Sequence, residues 1–343
     1  MGCKYGSHRV LEPKGVLPQP ALRLDNDFSR IEENEILVDV RALNIDSASF
    51  TQLEEAAGGD VSKIEAAILA IVAERGKMQN PVTGSGGMFI GTVAKVGAAL
   101  AGRDLKEGDR IASLVSLSLT PLKIDRIVKT HPEIDRVEIV GQAVLFESGI
   151  YAKLPDDMDE TLALAALDVA GAPAQAARLV KAGQSVLILG AGGKSGMLVA
   201  WEAMKRVGPA GRVVGNVYLP EDAATLAELG LCHEVVVADA TKPVALLDAV
   251  LAANGGTEYD VVFNCVNVQN TEMSSILPCR QEGTVYYFSM ATHFGKAALG
   301  AEGVGKDVTM IVGNGYAKGH ADLTLAGLRE NAKLRHLFET RYV

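Results

Sequence analysis

One segment restricts the possible folds of this chain more than any other. It is a glycine-rich loop within residues 185–196, which read SVLILGAGGKSG. The apolar run before the loop predicts a buried strand. The residues after it predict a helix, because Met197, Trp201 and Met204 fall on one helical face. Strand, glycine loop and helix in this order form a dinucleotide-binding turn when the strand belongs to a parallel sheet.

The loop supplies six candidate cofactor-binding residues. Gly190 permits the tight turn, while Gly193 and Gly196 allow the backbone to approach a pyrophosphate and the helix to pack on the strand. The N-terminus of the helix adds free N–H groups and a dipole that favours phosphate. The glycine spacing differs from a strict G-x-G-x-x-G pattern, so the assignment depends on the sheet around the loop. The candidates are Gly190, Gly192, Gly193, Lys194, Ser195 and Gly196.

Two other interpretations of the loop compete with this one. The glycines are also compatible with a structural strand-to-helix turn that binds nothing. The run Gly193, Lys194 and Ser195 imitates the end of a P-loop, G-x-x-x-x-G-K-[ST]. The first glycine of that motif would fall at Ile188, inside the strand. A nucleoside triphosphate site is therefore disfavoured.

The sequence changes character after Pro155. Apolar runs then alternate with helical patterns, which is typical of a doubly wound parallel sheet of the α/β class. The predicted strands cover residues 185–189, 212–217, 234–237, 260–266, 284–290 and 308–312. We therefore expect a Rossmann dinucleotide-binding domain over residues 159–314.

The first third of the chain predicts a β-rich domain. Short apolar or alternating runs, such as residues 35–40 and 88–93, are separated by Gly and Pro. Apolar residues at helical spacing predict an amphipathic helix over residues 61–72 between them. A polar helix over residues 323–338 is expected to fold back onto this domain. The expected boundaries of the first domain are 1–158 and 315–343.

Charge and composition exclude several classes of function. The chain of 343 residues carries a net charge of −9 without clustered Lys and Arg, so we expect no nucleic-acid partner. An acidic chain suits a cationic substrate better. Neither a run of about 18 apolar residues nor an apolar leader is present, so we expect no membrane contact. The four cysteines lack C-x-x-C spacing, which is typical of a cytoplasmic protein.

Cofactor preference is usually encoded at the end of the second strand, where an NAD enzyme places an acidic residue about 20 residues beyond the glycines. Residues 212–219 contain no acid, so a 2′-phosphate would not be repelled there. Asn216 is a candidate donor to the ribose, and Tyr218 is a candidate stacking partner for adenine. We therefore expect NADP to be accepted at least as readily as NAD. Asn267 and Ser289 follow later strands at the same sheet edge and are candidates near the nicotinamide amide.

A β-rich domain followed by a dinucleotide-binding domain resembles the medium-chain dehydrogenase/reductase superfamily across nearly the whole chain. The resemblance implies a GroES-like catalytic domain besides the Rossmann domain, and homodimers are common in that superfamily. Shorter runs are more specific and resemble the L-erythro-3,5-diaminohexanoate dehydrogenase family. These runs are NPVTGSGGM at 80–88, SLSLTP at 116–121, NCVNV at 264–268, NTEMSS at 270–275 and KAALGAEGVGK at 296–306. The resemblance implies oxidative deamination of a diamino acid in bacterial lysine fermentation.

The resemblance also shows where the zinc ligands of the superfamily are missing. Asp46 stands at the position of the usual cysteine, residues 84–87 replace a Gly-His-Glu segment, and Asp168 stands at the third ligand position. Zinc favours imidazole and thiolate, so this set implies no metal. We expect the two carboxylates to form one acidic pocket, in which one holds the 5-ammonium group of the substrate and the other takes a proton from the 3-ammonium group. Glu147 is a third candidate acid.

Two other functions remain open at this point. A zinc-free quinone or enoyl reductase shares the architecture and the hydride chemistry but needs no acids beside the nicotinamide, so Asp46 and Asp168 argue against it. A cofactor-binding structural or RNA-associated protein is compatible with the same fold, because fold does not determine function. For each acid the competing interpretation is a helix cap or a solvated surface residue.

Overall fold

The computed structural model describes residues 1–289, 291–313 and 315–343, and it divides into two units, Met1–Asp156 and Asp157–Val343. The predicted combination of a β-rich domain and a parallel α/β sheet is confirmed. The last residue of the strand expected over 284–290 lies outside the described residues. In the part of the chain that the structure describes, no helix has the length and apolar character needed to cross a membrane.

The first unit is an antiparallel sheet with two helices, each of which packs one face against the core. The helices and strands are β1 (Val10–Glu12), β2 (Arg23–Leu24), β3 (Glu35–Asn44), α1 (Ser47–Ala57), α2 (Val61–Arg75), β4 (Met88–Val96), β5 (Arg110–Ser113), β6 (Leu122–His131), β7 (Arg136–Phe146) and β8 (Tyr151–Lys153). The main sheet has six strands in the order β6-β7-β3-β4-β5-β8, and β1 pairs with β2. All of its strand pairs are antiparallel.

Side-chain periodicity explains why these segments fold as they do. Along β3 the side chains alternate, so Ile36 is buried while Asp39 is exposed. Along α2 every fourth residue, Ile64, Ile68 and Val72, is buried in the same core. The predicted helix over residues 61–72 is therefore confirmed and extends to the bounds of α2.

A buried carboxylate ties the N-terminal segment to this sheet. The side chain of Glu35 has 0% exposure and accepts hydrogen bonds from Arg9 Nε at 2.8 Å and Arg9 Nη2 at 2.7 Å. Its Oε1 also lies 2.8 Å from His8 Nε2. Burial alone would raise the pKa of Glu35, but hydrogen bonds from Arg9 and His8 lower it to about 2. The carboxylate is therefore ionised and held in place.

The second unit alternates strands with helices around a parallel sheet. Its elements are α3 (Glu160–Leu167), α4 (Gly171–Leu179), β9 (Ser185–Leu189), α5 (Lys194–Val207), β10 (Arg212–Val217), α6 (Pro220–Leu229), β11 (Glu234–Val237), α7 (Pro243–Ala253), β12 (Tyr259–Asn264), α8 (Glu272–Ile276), β13 (Cys279–Tyr287), α9 (Phe294–Gly303), β14 (Thr309–Val312), α10 (His320–Glu330) and α11 (Ala332–Tyr342). The strand order is β11-β10-β9-β12-β13-β14, with every pair parallel.

This order determines where a ligand binds. The chain runs outward from β9 to β11 on one side and then returns to β12 on the other, so the connections diverge between β9 and β12. Open α/β sheets bind ligands in the crevice at the carboxyl ends of strands at such a point. The glycine loop follows β9 and therefore lies at this crevice.

The C-terminal segment differs from the expectation in two respects. It forms two helices, because Asn331 interrupts the helix expected over residues 323–338 and caps α11 by accepting a hydrogen bond from Leu334 N at 3.0 Å. Both helices pack on α3, and α10 also packs on α4. Residues 315–343 therefore belong to the second unit and not, as expected, to the first. Their buried side chains, Leu325, Leu328 and Phe338, account for this packing.

Candidate functional site

The glycine loop brings three backbone segments into close contact. Gly190 has a φ of 75°, which side chains rarely tolerate, and a Cβ there would lie 3.1 Å from Val266 N. A Cβ on Gly196 would lie 2.1 Å from Gly190 O and 2.7 Å from Ala191 Cα. These two positions require glycine because β9, α5 and the segment after β12 meet there.

The other two glycines have different surroundings. A Cβ on Gly193 would meet only Gly190 O, at 3.7 Å, among the described atoms within 4 Å. Gly193 also precedes α5, whose first turn has no side-chain cap in the described structure. Free N–H groups at a helix start bind anions, so this open side fits a pyrophosphate. A Cβ on Gly192 would instead lie 2.9 Å from Asp222 Oδ2.

A cavity of about 370 Å³ lies beside Gly190 at the carboxyl ends of the strands. Its lining residues are Gly190, Asn216, Tyr218, Ala238, Asp239, Ala240, Thr241, Val266 and Val268. Three of these residues were candidates from the sequence. The size and mixed polarity of the cavity suit the adenosine half of a dinucleotide.

The side chain of Asn216 is used differently from the expectation. Its Nδ2 donates to the backbone oxygens of Ala238 at 3.0 Å and of Val217 and Val236 at 3.3 Å each. Both amide hydrogens are thus engaged with the ends of β10 and β11, so any ribose contact must use the amide oxygen. Tyr218 is 71% exposed at the cavity rim, where its ring is accessible to a base.

Asp239 was missed by the sequence reasoning. It follows β11 and lines the cavity, and its Oδ1 accepts hydrogen bonds from Thr241 Oγ1 at 2.7 Å and Thr241 N at 2.8 Å. These hydrogen bonds hold the pKa of the Asp239 carboxyl below its usual value. Asp239 is the only charged residue among the described residues that line the cavity. The rule that ligands bind at carboxyl strand ends, applied to the third strand as well as the second, would have found it.

Two buried side chains hold the cavity walls. Ser274 Oγ donates to Ala240 O at 2.6 Å, which fixes the segment after β11. Asn264 Nδ2 donates to Thr271 Oγ1 at 2.9 Å and Ser275 Oγ at 2.8 Å, which closes the loop that carries Val266. Both belong to runs that carry the family resemblance, and fully satisfied buried networks of this kind make a site rigid.

The remaining cofactor candidates lie around the same sheet edge. Ser195 directs its hydroxyl to the thiol of Cys265; burial raises the pKa of that thiol to about 12, and the Ser195 hydrogen bond opposes the rise. The Ser195 hydroxyl therefore has a protein partner, and its role in phosphate binding stays a prediction. Ser289 Oγ lies 3.5 Å from Asn267 Oδ1, so these two candidates are brought together after β12 and β13.

Lys194 and Asp168 are also brought together. Lys194 is the first residue of α5, and its Nζ lies 3.1 Å from Asp168 Oδ2 and 5.6 Å from the ring centroid of Tyr342. Asp168 ends α3, where its backbone N–H donates to Leu164 O. The phosphate candidate and the acid candidate thus form one ion pair within the second unit.

Asp46 in the first unit has two distinct carboxylate oxygens. Oδ1 accepts a hydrogen bond from Ser49 N at 3.0 Å and so caps α1. Oδ2 is buried and has no hydrogen-bond partner among the described residues, and the same is true of Asn44 Oδ1 two residues earlier. Buried acceptors without a donor are rare because they cost free energy. Because Asp46 and Asp168 belong to different units, their shared pocket stays a prediction.

Glu147 has a structural environment. Its Oε2 accepts a hydrogen bond from Asn34 Nδ2 at 3.0 Å, and the same amide nitrogen donates to Gly2 O at 2.9 Å. Its backbone oxygen accepts a hydrogen bond from Arg103. These contacts link the N-terminus to the end of β7, and a catalytic role of Glu147 stays a prediction.

Metal ligands do not cluster in the part of the chain that the structure describes. No group of three or more His, Cys, Asp or Glu side chains is arranged there to hold a metal ion. The cysteines illustrate the point, since burial raises the thiol pKa of Cys232 and of Cys279 to about 12. Thiols in such apolar surroundings are inert.

Comparison with known proteins adds a full-length relationship. The family model for the L-erythro-3,5-diaminohexanoate dehydrogenase N-terminal domain matches residues 8–155. L-erythro-3,5-diaminohexanoate dehydrogenase of Acetoanaerobium sticklandii is 68% identical over 343 residues, which is 100% of this chain and 99% of that protein. The enzyme of the same name from Fusobacterium nucleatum is 66% identical over the same shares of both chains.

Solved structures agree in fold. Escherichia coli quinone oxidoreductase in complex with NADPH has a TM-score of 0.52 at 17% identity, covering 92% of this chain and 82% of that chain. A mycobacterial quinone oxidoreductase has a TM-score of 0.53 at 18% identity, covering 94% and 84%. At these identities the similarity establishes the fold alone.

Proposed function

Because the chain belongs to the L-erythro-3,5-diaminohexanoate dehydrogenase family, we propose that it oxidises the 3-amino group of L-erythro-3,5-diaminohexanoate. In each turnover the diamino acid, oxidised nicotinamide cofactor and water would give 5-amino-3-oxohexanoate, ammonium, reduced cofactor and one proton. The relationship over the full length carries this proposal, since it covers both units. The relatives bear a dehydrogenase name, so the quinone or enoyl reductase alternative rests on fold similarity alone.

The second unit offers the groups that a nicotinamide dinucleotide requires. When bound, the cofactor supplies the hydride acceptor. Gly193 leaves room for a pyrophosphate at the start of α5, and the cavity beside Gly190 fits adenosine. The ionised Asp239 on the cavity wall would repel a 2′-phosphate and accept a ribose hydroxyl. We therefore propose that NAD is preferred, although the acid-free end of β10 alone favoured NADP.

The first unit offers acceptors for an ammonium group. Asp46 Oδ2 and Asn44 Oδ1 are buried oxygens that lack a donor among the described residues. An ammonium group has three N–H donors and no acceptor, so it complements such oxygens. The carboxylate adds charge to one of these hydrogen bonds, which strengthens it. This observation supports a cationic amine as the substrate.

Proton handling falls to the carboxylates of the chain. An alkylammonium has a pKa of about 10, so the 3-ammonium group needs a base before its lone pair can assist hydride departure. Asp46 and Asp168 are the candidates for this base, and the same group would then activate the water that replaces nitrogen. The other carboxylate would hold the 5-ammonium group.

We also propose that the enzyme is a cytoplasmic homodimer that acts in lysine fermentation. The negative net charge disfavours nucleic acid as a partner. In the described sheet β14 is an edge strand, and Val312 on it is 56% exposed. Edge strands with apolar side chains pair readily with a second copy. Sedimentation equilibrium tests this point, and a mass equal to one chain would contradict it.

The central experiment compares Asp46→Asn with Asp60→Asn. Both acids cap a helix through an Oδ1 hydrogen bond at 3.0 Å, Asp46 at α1 and Asp60 at α2, and asparagine caps equally well. We expect only Asp46→Asn to lower kcat/KM for the diamino acid, by about 10- to 100-fold for one charge-assisted hydrogen bond. A raised KM would identify the 5-ammonium anchor, and a kcat reduced by roughly 10²–10⁴-fold would identify the base.

Reduced cofactor with a quinone or an enoyl thioester serves as the comparison reaction. Turnover of either compound, together with no cofactor reduction by the diamino acid, would reject the proposed function. Equal losses in the two variants would reject the role of Asp46 alone.

A further inference from the structure

Lys194 directly follows the glycine loop, and its side chain is engaged in an ion pair with Asp168. Its ammonium group lies 3.1 Å from Asp168 Oδ2 and over the ring of Tyr342. Phosphate binding at the loop can rely on backbone N–H groups, so the lysine is available for another partner.

The ion pair is accessible to small molecules. The side chains of Lys194 and Asp168 are 31% and 55% exposed. Asp168 is held in place from behind by the buried helix α3. Asp222, which lies close to Gly192 of the loop, already pairs with Arg341 at 3.4 Å. A ligand that approaches this surface therefore meets one cation and one anion side by side.

A 3-aminocarboxylate carries the complementary pair of charges. Its ammonium nitrogen and its carboxylate are separated by two carbons, so the two groups can approach to hydrogen-bond distance of each other. Placed antiparallel on Lys194 and Asp168, such a zwitterion would replace one exposed ion pair with two charge-assisted hydrogen bonds. The spacing of 3.1 Å between Nζ and Oδ2 matches this arrangement.

We propose that Lys194 and Asp168 together recognise the 3-aminocarboxylate end of the substrate, with Lys194 on the carboxylate and Asp168 on the 3-ammonium group. This inference rests on the proposed function for the identity of the substrate. It makes Asp168 the carboxylate at the reacting nitrogen. Lys194 is thus a substrate-binding residue and not a phosphate ligand.

The test replaces Lys194 by methionine, which keeps the length of the side chain but removes its charge. Lys205→Met is the matched control, because Lys205 lies on the same helix and pairs with Glu330 at 2.6 Å. Arg206 continues to pair with Glu202 in that control. The exposed ion pair of Lys194 contributes little to stability, and the buried Glu202, which pairs with Lys205 at 2.7 Å, keeps Arg206 as a partner, so both variants are expected to fold.

Two readouts are measured on the enzyme with its cofactor. Initial rates are compared for 3,5-diaminohexanoate and for its 1-carboxamide, which lacks the negative charge. We expect Lys194→Met to raise KM for the acid by about 10- to 100-fold and to leave kcat/KM for the amide unchanged. Lys194→Arg should restore part of the loss. The Kd of the cofactor alone should not change in either variant.

Calorimetry with 3-aminobutanoate provides a readout that does not require turnover. We expect binding to the wild type and to Lys205→Met, and loss of binding in Lys194→Met. If the wild type binds this probe through Lys194 but does not oxidise the diamino acid, the proposed function fails and the recognition site stands. Equal losses on acid and amide, or a raised cofactor Kd with an unchanged KM, would overturn the role of Lys194.

Discussion

Replacing Gly193 or Gly196 by alanine separates two duties of the glycine loop. The added Cβ on Gly196 would lie 2.1 Å from Gly190 O, and no rotamer change can relieve a contact with backbone. To reach even 3.0 Å the two segments must separate by about 0.9 Å. On Gly193 the nearest atom would be 3.7 Å away, and its φ of −83° and ψ of 169° suit alanine.

The two variants should therefore fail in different ways. Overpacking of this kind costs about 1–3 kcal/mol, so Gly196→Ala should lower Tm by roughly 2–10 °C. Gly193→Ala should keep the wild-type Tm, but its methyl group would occupy the open side of the helix start. We expect the cofactor Kd of Gly193→Ala to rise about 10- to 100-fold, the effect of losing one charge-assisted hydrogen bond.

Thermal unfolding and cofactor titration measure these effects separately. The titration can follow the fluorescence of Trp201, the single tryptophan of the chain, which lies on α5. Wild-type cofactor affinity in Gly193→Ala would show that the pyrophosphate does not pass over this residue. An unchanged Tm in Gly196→Ala would show that the close packing of β9 and α5 is not rigid.

Three further predictions concern acid stability, cofactor choice and metal. The pKa of Glu35 is about 2 in the folded state and 4.5 in the unfolded chain. Its contribution of about 3 kcal/mol to the free energy of unfolding is therefore complete above pH 4.5 and is lost as the pH falls toward 2. The free energy of unfolding measured in urea should therefore fall less between roughly pH 5 and 3 in Glu35→Gln than in the wild type. Parallel pH profiles of the two proteins would contradict this. Asp239→Asn should raise kcat/KM for NADP relative to NAD by about two- to fivefold, the range of one exposed charge interaction, and an unchanged ratio would exclude Asp239 as the selector. Exhaustive chelation should leave turnover intact, because the resemblance to the superfamily implies Asp46 and Asp168 at positions of the usual zinc ligands, and a loss of activity that zinc restores would refute this.

Local periodicity was sufficient to predict most of the fold. The buried strands around the glycine loop and the four-residue spacing of apolar side chains in α2 each describe one element without its neighbours. The end of a helix is also encoded in the local sequence, but Asn331 alone was not recognised as the break between α10 and α11. The packing of those helices on α3 depends on residues more than a hundred positions apart, which periodicity does not describe.

The candidate site was predictable only in part for the same reason. Gly190 and Gly196 could be predicted from the sequence because a tight turn and a close backbone contact each require glycine. The hydrogen-bond partners of polar side chains depend on contacts between residues distant in sequence, such as Lys194 with Asp168 across 26 positions. Asp239 falls between these cases, because its position after the third predicted strand indicates the ligand-binding edge but its hydrogen bonds to Thr241 were not predicted.

The way Asn216 is bonded has a consequence for attempts to redesign cofactor choice. Engineers usually exchange the residue at the end of the second strand, where an acid selects NAD. Here that residue donates to backbone oxygens of Val217, Val236 and Ala238. A carboxylate introduced by Asn216→Asp would face the same oxygens with no hydrogens to give, so the exchange would separate the ends of β10 and β11 before it affected the ribose. Natural mutations of Asn216 would lose the same hydrogen bonds. Cofactor preference can therefore change more easily at the end of β11, where Asp239 lies.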